Sequence, residues 1–587
     1  MRLFLAATLI FVTLYNAPAY AVDDFINPEI SSPVENIDAI EAARAKKYMI
    51  SAANPLAAEA GAKILSEGGS AIDAAIATQM VLNVVEPQSS GIGGGGFMLY
   101  WDASTRKLHV YDGRETAPAD AQETQFLDES GKPMPFMNAV RGGLSVGTPG
   151  LLKMLELAHR NHGHVEWTRL FSDAMRLSKD GFALSPRLHN MLLSLKHIRS
   201  FPESLTPYTH KDGSIKDVGE IITNKSLHDT LAILARKGIA PFYQGEIASA
   251  MVDAVQDTKV NPGHLSLADL KSYKALTRDP VCAPYREYRV CSMPPPSSGG
   301  VTVLQALMIL ERLEALDIRT VEPLSVDAVH AFAEASKLAY ADRNRYLADP
   351  DFVDIPLKNM LNANYLASRA ATIHAESAMP GASAGSFTQS AKAVHVPSIT
   401  EPPSTTHISI IDMQGNAVAL TSSIEQGFGS GMTVRGFLLN NQLTDFSFSP
   451  TLADGVTPHP NRVEPGKRPR SSMSPTMIFD KNDKLVMVLG SPGGARIIEY
   501  VLQTIIAVID WNLDVQQAIN LPHYLNMNDA TELEASTAAT ALQKSLEARG
   551  HTVKITDTPS GIHAITRFNN ELIGGADPRR EGVAKGK

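Results

Sequence analysis

The sequence predicts an α/β protein, and three observations carry that reading. Apolar residues recur at three- and four-residue spacing over Ala53 to Ser66, Ala71 to Val84, Gly150 to Arg160 and Leu227 to Lys237, the period of amphipathic helices. Short apolar pieces around Phe97 to Trp101 and Lys107 to Asp112 lie beside glycines, as strands entering from tight turns do. Thr405 to Ile411 and Ala417 to Ser423 alternate on either side of a turn at Met413 to Asn416, which reads as a β-hairpin. With residue 412 facing 416, Ser423 falls across from Thr405, where side chains meet.

The chain has 587 residues, long enough for about four average domains or for one α/β unit enlarged by insertions. With 44% hydrophobic and 20% charged residues it has the composition of a globular protein. The net charge of −9 and the lack of a long basic run offer a phosphate backbone no footprint, so nucleic acid is excluded as a partner. Residues 1–21 read as an export signal: Arg2, an apolar run from Leu3 to Tyr15, then the small-x-small site Ala19-Tyr20-Ala21. That run is too short to span a bilayer, so a periplasmic or secreted protein without a stable membrane span is expected.

Export gives Cys282 and Cys291 two possible states. Two short strands around a turn at Arg286-Glu287 would set them opposite each other and permit a disulfide. Arg-Glu is a poor type I′ pair, however, and two buried free thiols are the alternative. Residues 374–404, rich in Ser, Ala, Pro and Gly without periodicity, read as a mobile surface segment. The proline-rich stretch Phe446 to Arg470 reads as a lid or a long connector. Met477 to Leu489 gives two strands around Lys481-Asn482-Asp483, and Ser491-Pro492-Gly493-Gly494 leads into an apolar helix from Ala495 to Asp510.

Several constellations are missing. The chain has no HExxH, no CxxC pair and no GxxxxGK[ST], so zinc, thiol-redox and P-loop chemistry have no sequence support. Gly91 to Gly96 precedes a strand instead of joining strand to helix, which favours close backbone packing over a dinucleotide site. What is left is a hydroxyl, Thr405, between the aperiodic segment and a strand. A cut between Ser404 and Thr405 would free an α-amine beside that hydroxyl. With an ordinary pKa of about 7.7 to 8.0, the amine is a usable general base near neutral pH, so one residue would supply nucleophile and base.

The stretch TTHISIIDMQGNAVALTSSIEQGFGSG from Thr405 resembles the signature around the nucleophile of γ-glutamyltransferases. GIGGGGFM at 91–98, GRETAP at 113–118, LLNNQLTDFS at 438–447, KRPRSSMSPT at 467–476 and GSPGGARI at 490–497 are similar to that family in its order and spacing. The resemblance covers nearly the whole chain after residue 21. It implies an N-terminal-nucleophile hydrolase sandwich, two β-sheets between helical layers, formed by two subunits of one self-cleaved precursor. Residues 22–404 would be the large subunit and 405–587 the small one, together a heterodimer. Thr405 would then both cut the chain and attack substrate. Ser423 stands where the family usually has threonine; it keeps the hydroxyl that orients the new amine and loses a methyl group.

A γ-glutamyl group carries a carboxylate and an ammonium on one carbon, so its site needs a cationic fork and an anionic pair. Arg114 with the hydroxyls of Ser471 and Ser472 suits the carboxylate, and Glu425, Gln442 and Asp445 suit the ammonium. Backbone N–H groups of Gly493 and Gly494 are the expected oxyanion donors. His407, two residues along the strand from Thr405, is read as structural. The 446–470 loop lacks the tyrosine that lid-bearing bacterial relatives place over the pocket, and Phe446 and Phe448 are the candidates to cover it instead. The resemblance implies action on glutathione and other γ-glutamyl compounds, with water, amino acids or peptides as acceptors and no cofactor or metal. Rival readings are a cephalosporin or glutaryl acylase, a poly-γ-glutamate depolymerase, and an uncut γ-glutamyl-binding protein without activity. A glutaryl group lacks the ammonium and would leave Glu425 and Asp445 uncompensated.

Overall fold

A computed structural model describes residues 40–314, 316–387 and 404–587. The predicted export signal and residues 388–403 of the aperiodic segment lie outside them. Two seven-stranded sheets form the centre. The first runs Val583–Gly586, Met49–Ala52, Thr406–Ile411, Ala417–Ser423, Gly95–Asp102, Lys107–Asp112, Leu276–Arg278. The second runs Ala43–Ala45, Glu571–Ala576, His563–Phe568, Leu485–Gly490, Thr476–Phe479, Tyr288–Ser292, Val281–Tyr285. Neighbouring strands in both are antiparallel. The chain is thus mixed α/β, with helices packed on the outer face of each sheet.

The period of two decides which side chains meet which layer. In the first sheet Met98, Tyr100, Ile408, Ile410, Val418 and Leu420 face a core shared with the helices Pro55–Ser66 and Ala71–Val85. Both helices start on a cap: Asn54 accepts from Leu56 N–H, and Ser70 makes a capping box with Asp73. The alternate residues Phe97, Leu99, Trp101, Ala417 and Ala419 face the second sheet, where Trp101 meets Phe479 with ring centroids 4.7 Å apart. Helices Gly299–Glu311, Val326–Tyr346 and Ile497–Ile509 cover that sheet's other face. By the same alternation Thr405, His407 and Ser409 point between the sheets.

The hairpin has the expected register: Thr406 pairs with Ser422 and Ile411 with Ala417. Cys282 pairs with Cys291, and a disulfide joins them. The turn between them takes a positive φ of 54° at Arg286, an unusual place for arginine. Its side chain is tied down, with Nε donating to Asp510 at 2.9 Å.

Two expectations are corrected. Residues 374–387 lie on the surface as expected but are docked to the body of the protein: Gly385 N–H donates to Asp342 at 2.8 Å, Met379 N–H to Glu334 at 2.9 Å, and Ala382 N–H to Asn528 at 2.7 Å. Phe446 and Phe448 do not cover a pocket. Phe446 is buried with Ala117, Phe126 and Val463 in a small third core, and Phe448 stacks on Phe126 at 4.7 Å and Phe136 at 6.1 Å. They pin the 446–470 loop to the 117–140 segment.

Candidate active site

Thr405 sits at the start of the strand Thr406–Ile411, between the sheets, and is almost fully buried. Its Oγ1 donates to Ser423 Oγ at 3.1 Å, the cross-strand contact that the register predicts. Ser423 Oγ also accepts from Glu425 N–H at 2.8 Å. The φ of Thr405 is +143°, a region that β-branched residues avoid, so the backbone here is strained. Groups on both sides hold it. Ser404 Oγ donates to the Gln88 carbonyl at 2.8 Å, and the Thr405 carbonyl accepts from the Arg580 guanidinium at 3.1 Å.

A narrow cavity opens at this point, lined by Arg114, Ser404, Thr405, Ser423, Glu425, Gln442, Asp445, Ser471, Ser472, Met473, Gly494 and Ile497. The structure therefore brings together the residues singled out from sequence, save Gly493. That glycine has φ +136° and turns its α-carbon toward Tyr500, where a Cβ would come within 2.6 Å of the ring. Gly493 and Gly494 lead through a short 3₁₀ turn, Gly494–Arg496, into Ile497–Ile509, so the helix begins two residues later than its apolar run.

The charges in the cavity are ordered by a scaffold. Arg114 donates to Asp445 at 2.5 Å and to the carbonyls of Pro469 and Arg470 at 3.1 and 3.0 Å. Gln442 Nε2 donates to Asp445 at 2.8 Å, while Gln442 Oε1 is buried without a partner. Asn441 donates to the Glu425 carboxylate and holds Gln426 N–H at 2.9 Å, fixing Glu425 at its positive φ of 78°. Ser472 Oγ accepts from Arg343 at 2.6 Å, and Ser471 Oγ accepts from Met473 N–H at 3.1 Å. Glu115, 3.9 Å from Arg114, is pushed up to about 8 by burial, although Arg114 opposes the shift. Kept neutral at pH 7, it leaves the Arg114 charge to Asp445 and the cavity.

The glycines at 91–96 serve close packing. A Cβ on Gly93 would lie 2.1 Å from the Leu438 carbonyl, and one on Gly94 2.1 Å from the Ser423 carbonyl. His407 is structural in its contacts: Nδ1 meets Thr421 Oγ1 at 2.8 Å, Nε2 meets Ser409 Oγ at 3.1 Å, and burial lowers its pKa well below the ordinary value.

The Gamma-glutamyltranspeptidase family model matches residues 57–587. The chain belongs to that family. It is 37% identical over 562 residues to a glutathione hydrolase proenzyme of Bacillus subtilis (strain 168), covering 92% of each chain. To a glutathione hydrolase proenzyme of Escherichia coli (strain K12) it is 37% identical over 561 residues, with 94% of this chain and 93% of the relative covered. Among solved structures it is similar to a cephalosporin acylase from Bacillus halodurans, with TM-score 0.78, 27% identity, and 93% and 97% of the two chains covered. The architecture is accordingly the N-terminal-nucleophile hydrolase sandwich.

In this γ-glutamyltranspeptidase-family site, sequence reasoning missed Met473 and Ile497, which line the cavity, and Gln88, Glu115, Arg343, Asn441 and Arg580, which touch the residues that line it. Glu115 and Asn441 stood inside the quoted motifs, adjacent to Arg114 and Gln442. Arg343 and Arg580 lie far from any motif residue that they touch, and nothing local marks them.

Proposed function

We propose that the protein is an exported, self-processing γ-glutamyltransferase and glutathione hydrolase that works through a γ-glutamyl ester on Thr405. One observation carries the reading: the Thr405 hydroxyl opens into the same cavity as the Arg114–Asp445 pair, Glu425 and Gln442. In maturation, Thr405 Oγ attacks the Ser404 carbonyl carbon, the peptide C–N bond breaks, and water hydrolyses the resulting ester. The freed α-amine then takes the Oγ proton as Thr405 attacks the substrate's γ-carbonyl. The amide C–N bond breaks, the leaving amine collects the proton, and water or an amine acceptor releases the glutamyl group. Gly493 and Gly494 N–H groups would hold the transient oxyanion.

Arg114, Ser471 and Ser472 take the substrate carboxylate; Asp445, Glu425 and the free acceptor of Gln442 take its ammonium. Residues 22–404 and 405–587 would stay together after the cut, because the hairpin 406–423 lies between Met49–Ala52 and Gly95–Asp102 in one sheet. No helix among the described residues is long and apolar enough to cross a membrane.

The test is Thr405→Ala. Mass spectrometry should find only uncut chain, and γ-glutamyl anilide turnover should fall at least about 10³-fold. Undiminished cleavage and turnover would refute the proposal. The likeness to a cephalosporin acylase favours a second reading, hydrolysis of glutaryl amides; faster turnover of a glutaryl than a γ-glutamyl anilide would establish it instead.

A further inference from the structure

Arg580 lies 175 residues along the chain from Thr405, yet its guanidinium reaches the carbonyl of that residue at 3.1 Å and the Pro559 carbonyl at 3.2 Å. The side chain is nearly fully buried. Its place is built: a Cβ on Gly561 would come within 2.8 Å of Arg580 Cδ, so only glycine leaves room for the arginine stem. The segment carrying it is anchored by Asp577, which accepts from Ser560 Oγ at 2.5 Å and from Ile562 N–H at 3.2 Å. Folding leaves this cation little freedom to turn elsewhere.

We propose that Arg580 is a positioning residue for Thr405: its fork pins the strained Thr405 carbonyl, and its fixed charge keeps the amine released by cleavage unprotonated. This rests on the reading of Thr405 as the N-terminal nucleophile. The N and O atoms of one residue are within about 3.6 Å of each other, so the guanidinium lies within roughly 7 Å of the amine. A cation at that range disfavours the ammonium form, and only the neutral amine can take the Oγ proton.

The other charges around Thr405 leave this effect standing. Arg114 and Asp445 are paired in direct contact in the cavity wall. Arg579, next to Arg580, is committed to Glu534 and Asp577. Arg343 donates to Ser472 Oγ at 2.6 Å and to Ser298 Oγ at 2.9 Å. His407 on the same strand and His563 on the facing sheet are held neutral by burial, His563 pushed down to about 3. Glu425, bonded to Asn441, is the anion that opposes Arg580 at the amine. The pair would balance the amine near working pH, and loss of the cation would let Glu425 dominate.

The experiment compares Arg580→Gln and Arg580→Lys with the parent on γ-glutamyl-p-nitroanilide, with mature subunits quantified on denaturing gels and rates expressed per mature enzyme. In Arg580→Gln the acidic limb of kcat/KM should move to higher pH by about one unit, with KM on the alkaline plateau within about threefold of the parent. Arg580→Lys, which keeps the charge, should return the limb to within about 0.3 unit while kcat stays reduced, since an ammonium cannot grip both carbonyls as a fork. An unmoved limb in mature Arg580→Gln overturns the proposal. If that variant does not mature, Arg580→Lys decides: a parental limb with lowered kcat supports the proposal, and a displaced limb overturns it. Thr405→Ala, assayed alongside, separates the two ideas, because turnover surviving there defeats the nucleophile reading itself.

Discussion

Two buried polar clusters in this molecule have similar ingredients and opposite characters. One surrounds Thr405. The other joins His330, Glu334 and His551, whose ligand-type atoms lie within 4.8 Å of one another, a spacing that would suit a metal ion. In the second cluster every one of these atoms is engaged. His330 Nε2 donates to the His374 carbonyl at 2.8 Å, which leaves Nδ1 to accept from His551 Nε2 at 2.8 Å. His551 Nδ1 then accepts from Thr531 Oγ1 at 2.9 Å, while Glu334 takes Lys337 at 2.7 Å and Met379 N–H at 2.9 Å. The carbonyl fixes both tautomers and the chain of donors closes. Around Thr405, by contrast, an open cavity meets opposed charges, a strained backbone and an unfilled Gln442 acceptor. Burial and polarity are common to both clusters; what distinguishes the Thr405 cavity is the unfilled Gln442 acceptor beside opposed charges and an opening.

That contrast is sharpest at Asp445, which faces Arg114, Gln442 and the cavity together. Asp445→Asn should lower kcat/KM for a γ-glutamyl anilide about 100-fold, mainly through KM, and bring the preference over a glutaryl anilide toward parity. An unchanged preference would mean that the cavity does not select for an ammonium. Ser423 is the next step down. Ser423→Ala removes the partner of both Thr405 Oγ1 and Glu425 N–H, and both the rate of chain cleavage and turnover should fall about tenfold. Ser423→Thr should recover the parental rates, since a β-branched residue holds its hydroxyl in fewer rotamers. Parental rates in the alanine variant would place Ser423 with the structural hydroxyls.

What the sequence made legible follows from the range of each interaction. The 406–423 hairpin and the Cys282–Cys291 pairing are local, and a period of two with a short turn fixes both registers. The cavity charges were legible through motifs whose members fold back on Thr405. Arg580 and Arg343 were not, because a buried arginine spent on a distant carbonyl or hydroxyl leaves no periodicity to detect. Composition misled at 374–387, where backbone N–H groups of Met379, Ala382 and Gly385 do the docking. Phe446 and Phe448 stand beside the pocket residues in sequence, yet their rings find Phe126 and Phe136.

The closed histidine cluster should answer to acid where the Thr405 cavity answers to substitution. His551 is pushed down to about 3 by burial, with Lys337, His330 and Arg549 adding to the shift, and His330 is lowered as well, chiefly by burial. The unfolded chain binds a proton at each near pH 6.5, so between that value and about 3 the unfolded state holds more protons than the native one. The contribution of these two histidines to stability therefore stays level above 6.5 and declines as pH falls below it. Protonation of His551 would also destroy the acceptor for Thr531 and add a positive charge near Lys337 and Arg549. His551→Phe should be less stable at pH 7, flatten the fall in stability between pH 6.5 and 5 by about one proton, and leave kcat/KM of the folded enzyme within about twofold of the parent. Urea titrations across that range, with anilide turnover at pH 7, measure all three. A catalytic loss beyond tenfold in folded His551→Phe would join the two clusters functionally and erase the distinction drawn between them.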